Sequence, residues 1–170
     1  GADIIMIFDE CPPGDCTYEE AKRAILRTKH WTERFLKAKK RKDQAAFTII
    51  QGATFEDLRK DSSRFAVSCD TPGIAIGGVA VGESKEDMYK VIRMVTPLLP
   101  KNKPRYLMGV GEPEDLKEAV LQGIDMFDCV IPTRLARHGS FWDSASKRQS
   151  IDKAEFKEDP RPLIKGCACY

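Results

Sequence analysis

Asp128 lies inside the apolar run MFDCVI at residues 126–131. An ionised carboxylate among such neighbours is costly unless it is paired or opens onto a pocket. Asp128 is therefore either a reactive carboxylate or a strand-end group that caps a neighbouring helix or pairs with Arg134. Asp9 and Glu10 pose the same question directly after the apolar residues 4–8. Adjacent side chains in extended chain point to opposite sides, so at most one of the two belongs to a site. Gln51 closes another apolar run and offers a carbonyl acceptor and an amide donor together, which suits the edge of a heterocycle unless it is a locally satisfied turn residue. Gly77 and Gly78 end a third run, where the missing Cβ either lets a ligand approach backbone N–H groups or marks a bend.

The remaining polar candidates carry less chemistry. Residues 37–42 contain five basic side chains, which read as a solvated face at the end of a long helix, favourable to its dipole. His30 and His138 have no metal-ligand spacing around them, although Arg134, Arg137 and His138 form a small basic cluster suited to phosphate. Cys11, Cys16, Cys69 and Cys129 stand apart from one another and read as structural thiols. Cys167 and Cys169 differ, forming a Cys-x-Cys pair that reads as half of a larger arrangement.

Parallel α/β architecture explains why these groups recur at the ends of apolar runs. The runs at residues 4–8, 46–50, 74–76, 106–110 and 126–131 read as strands. Between them lie amphipathic stretches. The first extends from Thr17 to about Lys42, with Thr17 and Glu20 spaced as a capping box and Ala21, Ala24, Ile25, Trp31, Phe35 and Ala38 on one face. A second carries Asp57, Leu58 and Phe65, a third opens at Ser84 and ends before Pro97, and a fourth runs from Pro113 to Gly123. Alternating units imply crossovers and a parallel sheet covered on both faces, whose ligand sits at the carboxyl ends of the strands. No G-x-G-x-x-G follows the first strand, and Gly109-Val110-Gly111 reads as a tight strand-to-helix turn. The count favours part of a (β/α)8 barrel over residues 1–131. Residues 132–170 form a polar, irregular region with Phe141, Trp142, Ile151 and Phe156 spaced for a small appended layer.

The chain has 170 residues with 28 basic and 26 acidic side chains, a net charge of +2, which excludes a polybasic nucleic-acid glue and leaves only local contacts. With 42% hydrophobic residues it can build a core, and no apolar run reaches the length of a bilayer span. The first ten residues lack the features of a secretory signal, so a cytoplasmic setting is expected. Beginning just before a strand and stopping after Cys169, the sequence reads as a segment of a longer protein.

Five motifs taken in series, FDECPP at residues 8–13, QG at 51–52, IGGVAVGE at 76–83, YLMGVG at 106–111 and MFDCVIPTR at 126–134, resemble the tRNA-guanine transglycosylases of the bacterial type. The resemblance implies a (β/α)8 barrel with a zinc-binding insertion, and exchange of guanine at the tRNA anticodon wobble position for a 7-deazaguanine in queuosine biosynthesis. It implies that Asp128 is the nucleophile that holds the ribose covalently, and that Asp9 reads the N–H donors of the purine. Gln51 and the Gly78 N–H would donate to the purine carbonyl. Val79, where many bacterial members have Leu, would meet the substituent of the incoming base. Gly77 would belong to the same base-binding loop, Cys11 and Met108 would line the pocket, and Tyr106 and Gly109 its rim. Arg134 and Arg137 would contact tRNA, and Cys167 and Cys169 would be two of four ligands to a structural Zn2+.

The same resemblance implies a homodimer and places the general acid/base aspartate in a half of the barrel that these residues do not include. The 170-residue chain alone is therefore expected to be inactive. A non-catalytic accessory paralogue or an inactive structural fragment is the alternative, and it need not keep the nucleophile and base-reading set.

Overall fold

Within residues 1–131 every apolar run forms a strand and every amphipathic stretch a helix, in a computed structural model that describes residues 1–162 and 164–166. The order is β1 (Ile4–Met6), α1 (Tyr18–Ala38), β2 (Ala45–Ile50), α2 (Glu56–Ser68), β3 (Gly73–Ile76), α3 (Lys85–Val95), β4 (Arg105–Leu107), α4 (Pro113–Leu121) and β5 (Met126–Phe127). Thr17 caps α1 through the expected reciprocal box with Glu20. Ser84 caps α3, and Pro113 opens α4. Each device satisfies or removes an N–H that the first turn cannot bond internally.

The five strands form one parallel sheet in the order β1-β2-β3-β4-β5, with Ile4 opposite Ala45, Phe47 opposite Gly73, Ile74 opposite Arg105 and Tyr106 opposite Met126. Strand order never reverses, so the helices follow one another along one face of the sheet, as in a barrel and unlike a doubly wound fold. These elements are a contiguous arc of a (β/α)8 barrel. Ile50, Ile74, Ile76 and Leu107 point to the helical layer and pack against Val91, Ile92, Val95 and Ala119. Thr48 is buried on that face because its hydroxyl bonds Thr71 at 3.1 Å. Phe47, Ile49 and Ala75 occupy the alternate, inner face and are also buried, so the central strands β2 and β3 are covered on both faces, whereas Ile4 on β1 is exposed and Tyr106 on β4 half-buried.

Gly73 marks the tightest contact on that inner face, because a Cβ there would fall inside the buried Phe47 ring. Gly73→Ala is expected to destabilise the protein by about 1–3 kcal/mol through overpacking. Denaturant titration checks this: the midpoint should fall with an unchanged slope.

Several boundaries differ from the sequence reading. α1 stops at Ala38, and Lys39 to Lys42 lie in the turn into β2, where Arg41 pairs with Asp43 at 2.7 Å; only Lys37 serves the last helical turn. The chain must leave the helix there to re-enter the sheet at Ala45. β5 is two residues long, and Ile131 opens a fifth helix, α5 (Ile131–Arg137), so Asp128 stands beyond the strand end instead of within it. An antiparallel pair, β6 (Ser140–Trp142) and β7 (Arg148–Ser150), follows, with Phe141 packed edge-on against Phe156 at 5.5 Å between ring centroids. Among the described residues no helix is long and apolar enough to cross a membrane.

Candidate active site

The carboxyl ends of the strands carry the side chains singled out above. After β1, the buried Ile7 extends the ladder with an N–H bond to the Phe47 carbonyl at 3.0 Å, and the chain then divides Asp9 from Glu10. Glu10 turns away to α1, where its carboxylate is bonded by Arg27 and its N–H donates to Thr28 Oγ1 at 3.0 Å. The Arg27 bond holds the Glu10 carboxyl below its ordinary range. Asp9 turns inward and its Oδ2 accepts from Gln51 Nε2 at 2.6 Å. Only Asp9 of the pair therefore faces the site.

Gln51 is wholly buried at the end of β2, with its N–H held by Ser62 Oγ at 3.0 Å. Its Oε1 has no hydrogen-bond partner among the described residues. The side chain is thus not the satisfied turn residue of the local reading. The Asp9 bond uses one of its two amide N–H donors, and a buried, unbonded oxygen costs about 1–3 kcal/mol until a donor arrives.

Asp128 is exposed after β5, and its Oδ1 accepts from the Tyr106 hydroxyl at 2.7 Å and the Gly109 N–H at 3.2 Å. It neither caps α5, which has no side-chain cap, nor pairs with Arg134. Its position explains how a charged group is tolerated beside apolar residues: the strand ends at Phe127, and the carboxylate meets water and two donors. Gly109 adopts φ +78°, a left-handed conformation that aims its N–H at Asp128 and that residues with a Cβ rarely adopt. Burial, followed by the bond to Asp128, pushes the Tyr106 hydroxyl up to about 12, so it remains a donor throughout the physiological range. Provided that Asp128 is the reacting carboxylate, Tyr106→Phe is expected to lower kcat on the order of 10-fold by removing a charge-assisted bond. The shape of the pH–rate profile between about pH 6 and pH 10 should be unchanged, because the lost phenol does not titrate there.

Between these carboxylates runs the loop after β3. Gly77, Gly78 and Val79 are buried, and Gly78 takes φ +63° with no room for a Cβ against Gln51 Oε1. Arg59, fully buried on α2, donates to the carbonyls of Gly77 at 2.7 Å, Gly78 at 2.7 Å, Ala53 at 2.7 Å and Ile50 at 3.2 Å. Burial pulls its pKa down to about 10, which leaves it charged at neutral pH. Glu83 holds the far side of the loop by accepting from the Ala80 N–H and from the Val81 N–H at 2.9 Å. Ala80 sits at φ +61° and Ala53 at φ +48°, a conformation that costs a non-glycine residue about 1 kcal/mol or more and persists where the surroundings fix it.

These loops line an open cavity of about 290 Å3 bordered by Asp9, Cys11, Gln51, Gly77, Gly78, Val79, Ala80, Val81, Met108, Gly109 and Asp128. Its volume suits a small heterocycle. Desolvation and the Asp9 charge raise the Cys11 thiol above its ordinary value, while the Gly78 N–H opposes the rise. Tyr106 stands behind Asp128. Arg134 and Arg137 are exposed on α5, outside the cavity. Cys167 and Cys169 lie outside the described residues, among which no cluster of three or more His, Cys, Asp or Glu side chains could hold a metal.

The family described as queuine tRNA-ribosyltransferase matches residues 1–170. The chain belongs to that family. It is 55% identical to the queuine tRNA-ribosyltransferase of Enterococcus faecalis, with 100% of this chain and 45% of the relative aligned. It is 52% identical to the relative from Halothermothrix orenii over 100% of this chain and 45% of the other, and 53% identical to that from Symbiobacterium thermophilum over 100% and 42%. The chain therefore spans less than half the length of these curated relatives. Its ribosyltransferase-family fold is the barrel arc described above.

Sequence reasoning about this ribosyltransferase-family chain missed Arg59 altogether and gave Glu83 no structural role. Arg59 had a legible signal. It shares one helical stripe with Ser62, Ser63 and Ala66, at spacings of three, four and seven, and a charged residue on an inward stripe demands buried acceptors.

Proposed function

We propose that the full-length protein containing these residues is a tRNA-guanine transglycosylase. It exchanges guanine at the anticodon wobble position for a 7-deazaguanine through a covalent bond between Asp128 and ribose. The observation that carries this reading is the shared cavity: Asp9 and the unsatisfied Gln51 amide face it on one side, and Asp128, held by Tyr106 and Gly109, on the other. An Asp128 carboxylate oxygen attacks the anomeric carbon, the bond to the base breaks, and its electron pair leaves with guanine, which takes up a proton. The incoming base gives its N9 proton to the general acid/base expected from the rest of the barrel, which replaces the proton that guanine took from it, and then attacks the same carbon through N9 and releases Asp128, the double displacement of retaining glycosyl transfer. Asp9 accepts from purine N–H donors, while the Gln51 amide and the Gly78 N–H face its carbonyl oxygen.

Retention of the whole set supports an enzyme over an accessory paralogue. Arg134 and Arg137, exposed on α5, are available to tRNA phosphates. Cys167 and Cys169 offer two thiolates, a donor type that suits Zn2+, and would supply half of a tetrahedral structural site whose other ligands come from elsewhere. A cytoplasmic homodimer completes the reading, and sedimentation of the full-length protein tests the dimer.

Labelled guanine exchange into tRNA by the full-length protein, followed by peptide mapping of the complex trapped without incoming base, tests the function. Ribose on Asp128 is the expected result. Ribose on Asp9 would reverse the two roles, and exchange without any adduct would require direct displacement.

A further inference from the structure

Arg59 is fully buried, yet among the described residues its guanidinium meets no carboxylate: every acceptor it has there is a backbone carbonyl. Two of these belong to the peptides Gly77–Gly78 and Gly78–Val79. Both peptides are trans, so each N–H points opposite to its carbonyl. With the carbonyls drawn toward α2, the N–H groups of Gly78 and Val79 are turned to the other side. Gly78, Val79 and Cys11 all line the cavity. Among the described residues neither N–H donates to a backbone or side-chain oxygen.

We propose that Arg59 is a positioning residue for base exchange: it fixes the Gly78 and Val79 N–H groups toward the purine carbonyl oxygen and, through the two polarised peptides, stabilises the negative charge that reaches that oxygen as the base departs. This deepens the transglycosylase reading and rests on it. When the bond to ribose breaks, its electron pair enters the purine ring and is shared with the carbonyl oxygen. Preorganised N–H donors backed by a positive charge in a dry setting favour that anion over the neutral base. A bare glycine turn at φ +63° would not hold this orientation alone.

The full-length protein provides the test, with wild type first shown to exchange guanine; failure there would remove the functional reading, not the role of Arg59 within it. Inhibition constants for guanine and for 2-aminopurine, which lacks the carbonyl oxygen, are then measured for wild type and Arg59→Lys. In the variant, guanine affinity should fall on the order of 10-fold and 2-aminopurine affinity should stay within about twofold, a ligand-and-residue cycle that isolates the coupling. kcat should fall further than guanine affinity, since the charge develops in the transition state. Equal losses for both bases, or no loss in a variant with a wild-type circular dichroism spectrum, would overturn the proposal. If Arg59→Lys does not fold, amide exchange in the wild type decides. Guanine should slow exchange at Gly78 and Val79 and 2-aminopurine should not; saturating guanine without slowing would overturn it equally.

Discussion

Asp128→Asn in the full-length protein is expected to reduce guanine exchange by on the order of 10⁴-fold or more, the scale seen when a covalent nucleophile is removed. The amide keeps the size of the side chain and can still accept from Tyr106 and Gly109, which now bond Oδ1 at 2.7 and 3.2 Å, so the loop should keep its shape. What disappears is the charge that attacks the anomeric carbon. The denaturant-resistant adduct with tRNA should vanish with the activity. Binding of tRNA should largely survive, because phosphate contacts expected of Arg134 and Arg137 lie outside the cavity. Single-turnover kinetics and filter binding separate the two effects. Exchange at wild-type rate in Asp128→Asn would rule Asp128 out as the nucleophile.

Asp9→Asn should act on the base instead of the sugar. Asp9 is the acceptor at the inner wall, and its present partner is the Gln51 amide at 2.6 Å. Replacing one oxygen by an NH2 group sets a donor against the Gln51 Nε2 donor and against the N–H groups of guanine. Gln51, fully buried with Oε1 already unpartnered, cannot move into water to relieve the conflict. Loss of a pair of charge-assisted bonds amounts to about 3 kcal/mol, roughly a 10²-fold weaker affinity for guanine. Competition by free guanine in the exchange assay measures it, and the tRNA adduct at Asp128 should still form. An affinity within twofold of wild type would mean that Asp9 does not read the base.

The strands, the helices and their parallel order were legible in residues 1–131 because apolar period and capping residues are local properties: Thr17 with Glu20, Ser84 before α3 and Pro113 at α4 act within one turn. Asp9, Gln51 and Gly78 were legible at the ends of apolar runs for the same reason, whereas Asp128 read as lying within its run. Strand ends were less legible. The apolar run at residues 126–131 continues past β5, since Ile131 and Leu135 serve α5, where Leu135 is buried, and hydrophobicity alone does not say which element buries a residue.

Pairing was decided only in three dimensions. Nothing local distinguishes Asp9 from Glu10; the difference is made by Arg27 and Thr28 on α1 and by Gln51 just after β2, residues 17 to 42 positions away. Asp128 could equally have paired with Arg134 until the Gly109 turn and Tyr106 brought two donors to it across β4 and β5. Arg59 shows the limit most clearly. It was not singled out in the sequence, and its acceptors are carbonyls contributed by the ends of β2 and β3, whose directions follow from backbone angles that no side-chain pattern encodes.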